Sequence, residues 1–181
     1  MKLNRLVLST LVSSSLLSAG VMAADTGTID FVGSVTGTTC DVSIDGGSAD
    51  ATVTLTTTGV SSLAAAGSTS GDTTFTMQLT GCSAAGSTRA FFQPGPNVTA
   101  EKRLANTTNT AGGGAQNVTL QLLEADGTSV IEVGEHTQNG QGYQTITGTN
   151  ATLPYIVRYY AEDTVTAGAV TSQVTYNLSY Q

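Results

Sequence analysis

Alternation with period two runs through this chain from Gly27 to Tyr180, and almost no stretch repeats with the period of a helix. Successive side chains of a strand point to opposite faces, so this alternation marks strands with one buried face. The stretch Gly27–Val35, GTIDFVGSV, carries the pattern clearly. One face holds Gly27, Ile29, Phe31, Gly33 and Val35, and the other Thr28, Asp30, Val32 and Ser34. Further alternating segments follow at Cys40–Ile44, Ala51–Leu55, Phe75–Cys82, Arg89–Phe92, Val118–Leu122, Val130–Val133, Leu153–Tyr160 and Val170–Tyr180. The last presents Val170, Ser172, Val174, Tyr176, Leu178 and Tyr180 on one side. Turn signals separate the segments at Asp45-Gly46-Gly47, Pro94-Gly95-Pro96, Asp126-Gly127 and Thr166-Ala167-Gly168. Short strands of this kind with frequent turns predict an all-β sandwich of immunoglobulin-like type.

Local details sharpen that expectation. Gly59–Gly67 is the one candidate for a helical turn, Thr99–Gly114 reads as a surface excursion, and Gln138–Gly142 as a loop. Gly81, just before Cys82, suggests a bulge that shifts the alternation. Pro154 is expected at the start of its strand, where a missing N–H does least harm.

The first residues have the layout of a secretory signal peptide: Lys2 and Arg5, a broken apolar run from Leu6 to Leu17, then Val21-Met22-Ala23. The apolar run is too short to anchor the chain across a bilayer. Cleavage is expected after Ala23, with Ala24 as the second choice. Residues 1–23 are then the signal, and the mature protein is exported with no membrane insertion.

Cleavage removes Lys2 and Arg5 and leaves 158 residues with four basic and 13 acidic side chains, a net charge of −9. That argues against nucleic acid or anionic membrane as a partner. So few ionic groups suit a surface largely covered by copies of the same chain. Two cysteines, Cys40 and Cys82, in an exported chain read as one disulfide.

No catalytic set emerges. His136 is the single histidine and lies in a polar stretch, read as solvent-exposed, so neither a nucleophile–histidine pair nor a several-imidazole metal site is signalled. Glu132/Glu135 and Glu162/Asp163 read as solvated turn charges. Gly112-Gly113-Gly114 lacks the following Lys-Ser/Thr of a phosphate loop. The reading is that the chain is not an enzyme and needs no cofactor and no metal.

The chain resembles the major pilin subunits of chaperone–usher fimbriae, of the type 1 kind. The markers are the signal peptide, Gly27–Val35, Cys40, Phe75-Thr76-Met77-Gln78-Leu79 leading to Cys82, and the ending Val174-Thr175-Tyr176-Asn177-Leu178-Ser179-Tyr180-Gln181. Their order and spacing carry the resemblance more than any one of them. It implies an immunoglobulin-like sandwich that lacks its last strand, with an N-terminal donor-strand extension at residues 24–38 and a pilin domain at 39–181. Such subunits assemble into a surface fimbria (pilus) by donor-strand exchange and support cell adhesion. A periplasmic chaperone lends a strand, and at the outer-membrane usher the extension of the next pilin subunit replaces it. Gly27, Ile29, Phe31, Gly33 and Val35 then form the donor face. Ile29, Phe31 and Val35 contribute roughly 1.5–3 kcal/mol each on burial. Val170, Val174, Tyr176, Leu178, Tyr180 and Gln181 form the groove and chaperone-docking strand. Two other roles fit the same residues: a minor adaptor pilin, or a free-standing secreted immunoglobulin-like binding module that uses Gly27–Val35 as its own first strand.

Overall fold

Nine β-strands make up the described part of this chain, and all their pairings are antiparallel. The computed structural model describes Asp30, Gly37, residues 39–83 and residues 85–181. The readings made on residues 1–23 and on Gly27, Ile29, Phe31, Gly33 and Val35 lie outside the described residues. The strands are β1 (Asp41–Ile44), β2 (Thr69–Thr80), β3 (Ser87–Phe92), β4 (Leu104–Ala105), β5 (Val118–Glu124), β6 (Val130–Ile131), β7 (Gln144–Thr145), β8 (Ala151–Ala161) and β9 (Tyr176–Tyr180). One sheet runs β1-β2-β8-β5-β4 with β6 also on β5, and the other runs β7-β3-β9.

The alternating faces meet between these sheets. Phe75, Met77 and Leu79 of β2, Leu153, Tyr155 and Val157 of β8, and Leu120 and Leu122 of β5 pack with Ala90 and Phe92 of β3. Phe92 stands edge-on to Tyr155 at 5.2 Å and to Phe75 at 6.5 Å, the T-shaped geometry that aromatic quadrupoles favour. The Tyr155 hydroxyl accepts the Ala90 N–H at 2.9 Å and so links the sheets. Burial pushes this phenol up to about 12. The disulfide joins Cys40, just before β1, to Cys82, just after β2. Asp41 pairs with Thr80, so the bond closes one end of this strand pair.

Several local expectations are corrected. The bulge is at Gly71, where the β2–β8 register shifts between Ser70 and Thr73. Gly71 has φ +73°, and a Cβ there would lie 2.8 Å from the Tyr159 ring, so the irregularity needs a residue without a side chain. Gly81 follows the end of β2 instead of interrupting it. Pro154 is the fourth residue of β8, not its first. Thr76, opposite it, turns its N–H and C=O to Asp45, so this is a non-hydrogen-bonded pair of the β2–β8 ladder. The proline nitrogen points to the other side, where β5 has already ended at Glu124, opposite Tyr155. No ladder bond is lost.

The Thr99–Gly114 excursion contains β4, whose Leu104 is buried against β5. Residues His136–Gly140 form a 3-10 turn that buries Gln138 and leaves His136 exposed. The helical turn near residue 60 is a 3-10 turn, Val60–Leu63. Glu162 is an ion-pair partner instead of a solvated charge: it takes two hydrogen bonds from Arg103, at 2.8 and 2.7 Å, and a third from Thr119.

Candidate functional site

Residues 170–180 keep the alternation expected of them. The even-numbered side chains are half-buried against the core, and the odd ones, Ser179 apart, are exposed. Only Tyr176–Tyr180 is paired as a strand, with β3. Ser87 and Gln181 exchange both backbone bonds, and Gln93 donates to Thr175, so the odd residues of β9 bond to β3. The pairs Thr88/Tyr180, Ala90/Leu178 and Phe92/Tyr176 are therefore the non-hydrogen-bonded ones. Residues 171 and 175 continue the same side: Thr107 N–H bonds to Thr171 and Gln93 N–H to Thr175. The N–H and C=O groups of Val170, Ser172, Val174, Tyr176, Leu178 and Tyr180 consequently turn to the opposite edge. They find no backbone partner among the described residues.

Facing that edge is the segment 49–58. Val53 and Leu55 are half-buried between exposed neighbours, which is why the sequence reads as a strand. Yet this stretch pairs with no described strand. Thr56 N–H goes to the Thr73 hydroxyl, and the Thr58 and Ser70 hydroxyls bond at 2.6 Å, which tether the segment to β2 through side chains. Ala51–Leu55 has strand pattern without strand pairing among the described residues.

Between the two edges lies a cleft of about 580 Å³. Val53, Leu55, Val174 and Tyr176 wall it, over a floor of Phe75, Met77, Phe92 and Leu122. The Ser172 hydroxyl oxygen, also at this cleft, is buried with no hydrogen-bond partner. A second cleft of about 610 Å³ is lined by Gly59, Leu63, Val118, Tyr159, Val165 and Val170 among others. Of the residues singled out in the last strand, Val170, Val174 and Tyr176 border these clefts, while Leu178, Tyr180 and Gln181 do not. Burial raises the phenol pKa of Tyr176, with Asp50 adding to the effect. Burial also raises that of Tyr180, partly offset by the Cys40 backbone amide.

Sequence reasoning missed the 49–58 lip and the residues that hold the far side of β3. Arg89 is fully buried although its neighbours mark it as an ordinary strand residue. Its guanidinium donates to the carbonyls of Gln138 and Gln141 and lies 3.1 Å from Glu124. Gln138 accepts the Phe92 N–H and donates to the Phe92 C=O, each at 3.0 Å, so its carboxamide stands in for a strand partner. Burial raises the Glu124 pKa, and Arg89 partly offsets this. The only advance signal was a lone Arg in an otherwise apolar strand. Among the described residues, no group of three His, Cys, Asp or Glu side chains is placed to hold a metal ion. No described helix is long and apolar enough to cross a membrane.

The family model of FimA, type-1 fimbrial protein A, matches residues 55–181. The chain belongs to the type-1 fimbrial protein family. Among its relatives, the F17 fimbrial protein of Escherichia coli is 40% identical, over 91% of this chain and 92% of the relative. The major fimbrial subunit SMF-1 of Stenotrophomonas maltophilia is 38% identical, over 91% and 99%. The fold is that of a subunit in a solved chaperone–usher pilus, with TM-score 0.57 at 23% identity, over 90% of this chain and 100% of the other. The type-1 fimbrial family is one of structural subunits, and this chain is an exported, surface-assembled member with the family's immunoglobulin-like sandwich. The cleft beside residues 170–180 is thus the feature of this fimbrial subunit that its own described strands leave unfilled.

Proposed function

We propose that this subunit polymerises by accepting a strand from another copy into the cleft between residues 49–58 and 170–180. The observation that carries the reading is the free edge: six residues turn N–H and C=O groups without a described backbone partner to one side, and three of them, Ser172, Val174 and Tyr176, line an apolar cleft whose other lip is also unpaired. A single added strand satisfies both edges and covers the apolar floor, which is the logic of strand addition. The donor is the N-terminal extension, residues 24–38 after removal of 1–23. Its inward face is Gly27, Ile29, Phe31, Gly33 and Val35. Val170, Val174, Tyr176, Leu178, Tyr180 and Gln181 serve as the acceptor and as the docking strand for a periplasmic chaperone, which covers the cleft until an outer-membrane usher exchanges it for the next extension. The role is structural and non-enzymatic.

Deleting Ala24–Val35 tests the assignment. The shortened chain is expected to bind a chaperone and to accept a donor, but to give no fibres by electron microscopy when it is the sole subunit. Fibres of ordinary length from that variant alone would remove the extension from its role.

A further inference from the structure

The cleft is crossed at one point. The Tyr176 hydroxyl donates to the Ala49 carbonyl at 3.0 Å, and both residues line the 580 Å³ cleft from opposite lips. The ring belongs to the half-buried row of the last strand, and its packing against the core needs no hydroxyl. Ala49 belongs to the lip that has no strand partner. The bond therefore joins the two unpaired edges. Above it, the cleft stays open beside Val174, Ser172 and Val53. Below it, Leu178 and Tyr180 border neither of the two clefts. A strand seated along the free edge of β9 must lie between Tyr176 and Ala49, where this bond now runs.

We propose that the Tyr176 hydroxyl is a latch that holds the lips together in the empty subunit and must release before a donor strand seats fully. This rests on the strand-acceptor reading above. The phenol keeps the 49–58 lip at a fixed spacing while no strand is present, and the ring remains as cleft wall once the bond is broken. Because the bond exists in the empty state and not in the filled one, it slows entry without tightening the final complex. Tyr176 is in this sense a positioning residue: it sets the separation of the lips and acts on the donor through that spacing.

The test uses the mature chain and its Tyr176→Phe variant with a fluorescent peptide of residues 25–35 in large excess. Association is followed by anisotropy, and release by chase with unlabelled peptide. The variant is expected to take up peptide about two- to tenfold faster, the range set by one intramolecular hydrogen bond, with release unchanged. A merely structural loosening would instead speed release. Tyr143→Phe, which removes a hydrogen bond to Ser179 of the same strand without touching either cleft, is expected to leave uptake at the native rate. Equal or slower uptake by Tyr176→Phe, or equal acceleration by Tyr143→Phe, overturns the latch while peptide binding still supports the acceptor. If neither protein binds the peptide, the acceptor reading fails and the latch with it.

Discussion

Gln138 and Arg89 hold the side of β3 that faces away from β9. The backbone of Phe92 lies in the core and must be paired there. Gln138 pairs it through its side chain, and Arg89 fixes the Gln138 carbonyl in turn. Gln138→Leu leaves the Phe92 N–H unpaired, while its C=O keeps the Gly134 N–H, and urea unfolding should show a loss of about 1–3 kcal/mol. Conservation of the native unfolding midpoint would show that the carboxamide is dispensable. At the β5–β6 turn, Asp126 accepts the N–H groups of Thr128 and Ser129 and the Ser129 hydroxyl. The Ser129 hydroxyl bond, then the Ser129 and Thr128 amides, lower its pKa to about 2. The folded value lies below the ordinary aspartate value of about 3.9, so the turn contributes fully above that pH and loses its contribution as pH falls through about 2. Carboxyl NMR titration should place Asp126 near the lower value. A midpoint near 4 would show that the capping bonds do not hold in solution.

Much of the element plan was legible in the residues. Phe75, Met77 and Leu79 fall on one face because strands alternate, and Tyr155 and Val157 of the neighbouring strand share that face for the same reason. What the residues did not reveal depended on partners distant in sequence. Val53 and Leu55 alternate correctly yet form no ladder, since pairing depends on a neighbour and not on pattern. Gln138 carries no local sign of burial, because the group it satisfies is 46 residues away. The bulge was expected at Gly81, but both glycines look alike until the Tyr159 ring is seen against Gly71. Both glycines have positive φ, so Gly71→Ala should destabilise more than Gly81→Ala by about 1–3 kcal/mol, from overpacking against the Tyr159 ring. Equal thermal midpoints for the two variants would contradict this. The disulfide acts on the β1–β2 pair. Replacing both cysteines with serine should cost roughly 4 kcal/mol, the chain-entropy value for a loop of this length. Denaturant midpoints of oxidised and serine forms measure it, and equal values would place no stabilisation in the bond.

At the scale of the whole molecule, the proposed acceptor cleft and donor extension, one of each per chain, would define a head-to-tail contact. A contact between two different surfaces does not close on a twofold axis, so it propagates as a filament. Each subunit that can accept but not donate ends growth at one end. Mixing the Ala24–Val35 deletion with native chain therefore acts as chain termination: at one deleted subunit in ten, mean fibre length should fall to about ten subunits, and it should scale roughly as the reciprocal of the deleted fraction. Electron microscopy of fibres grown from defined mixtures reads this directly. Fibre length independent of the deleted fraction would mean that the extension is not the donor. A decline much steeper than reciprocal would mean that the deleted chain also blocks growth through a second contact, and the cleft would then not be the sole joint between copies.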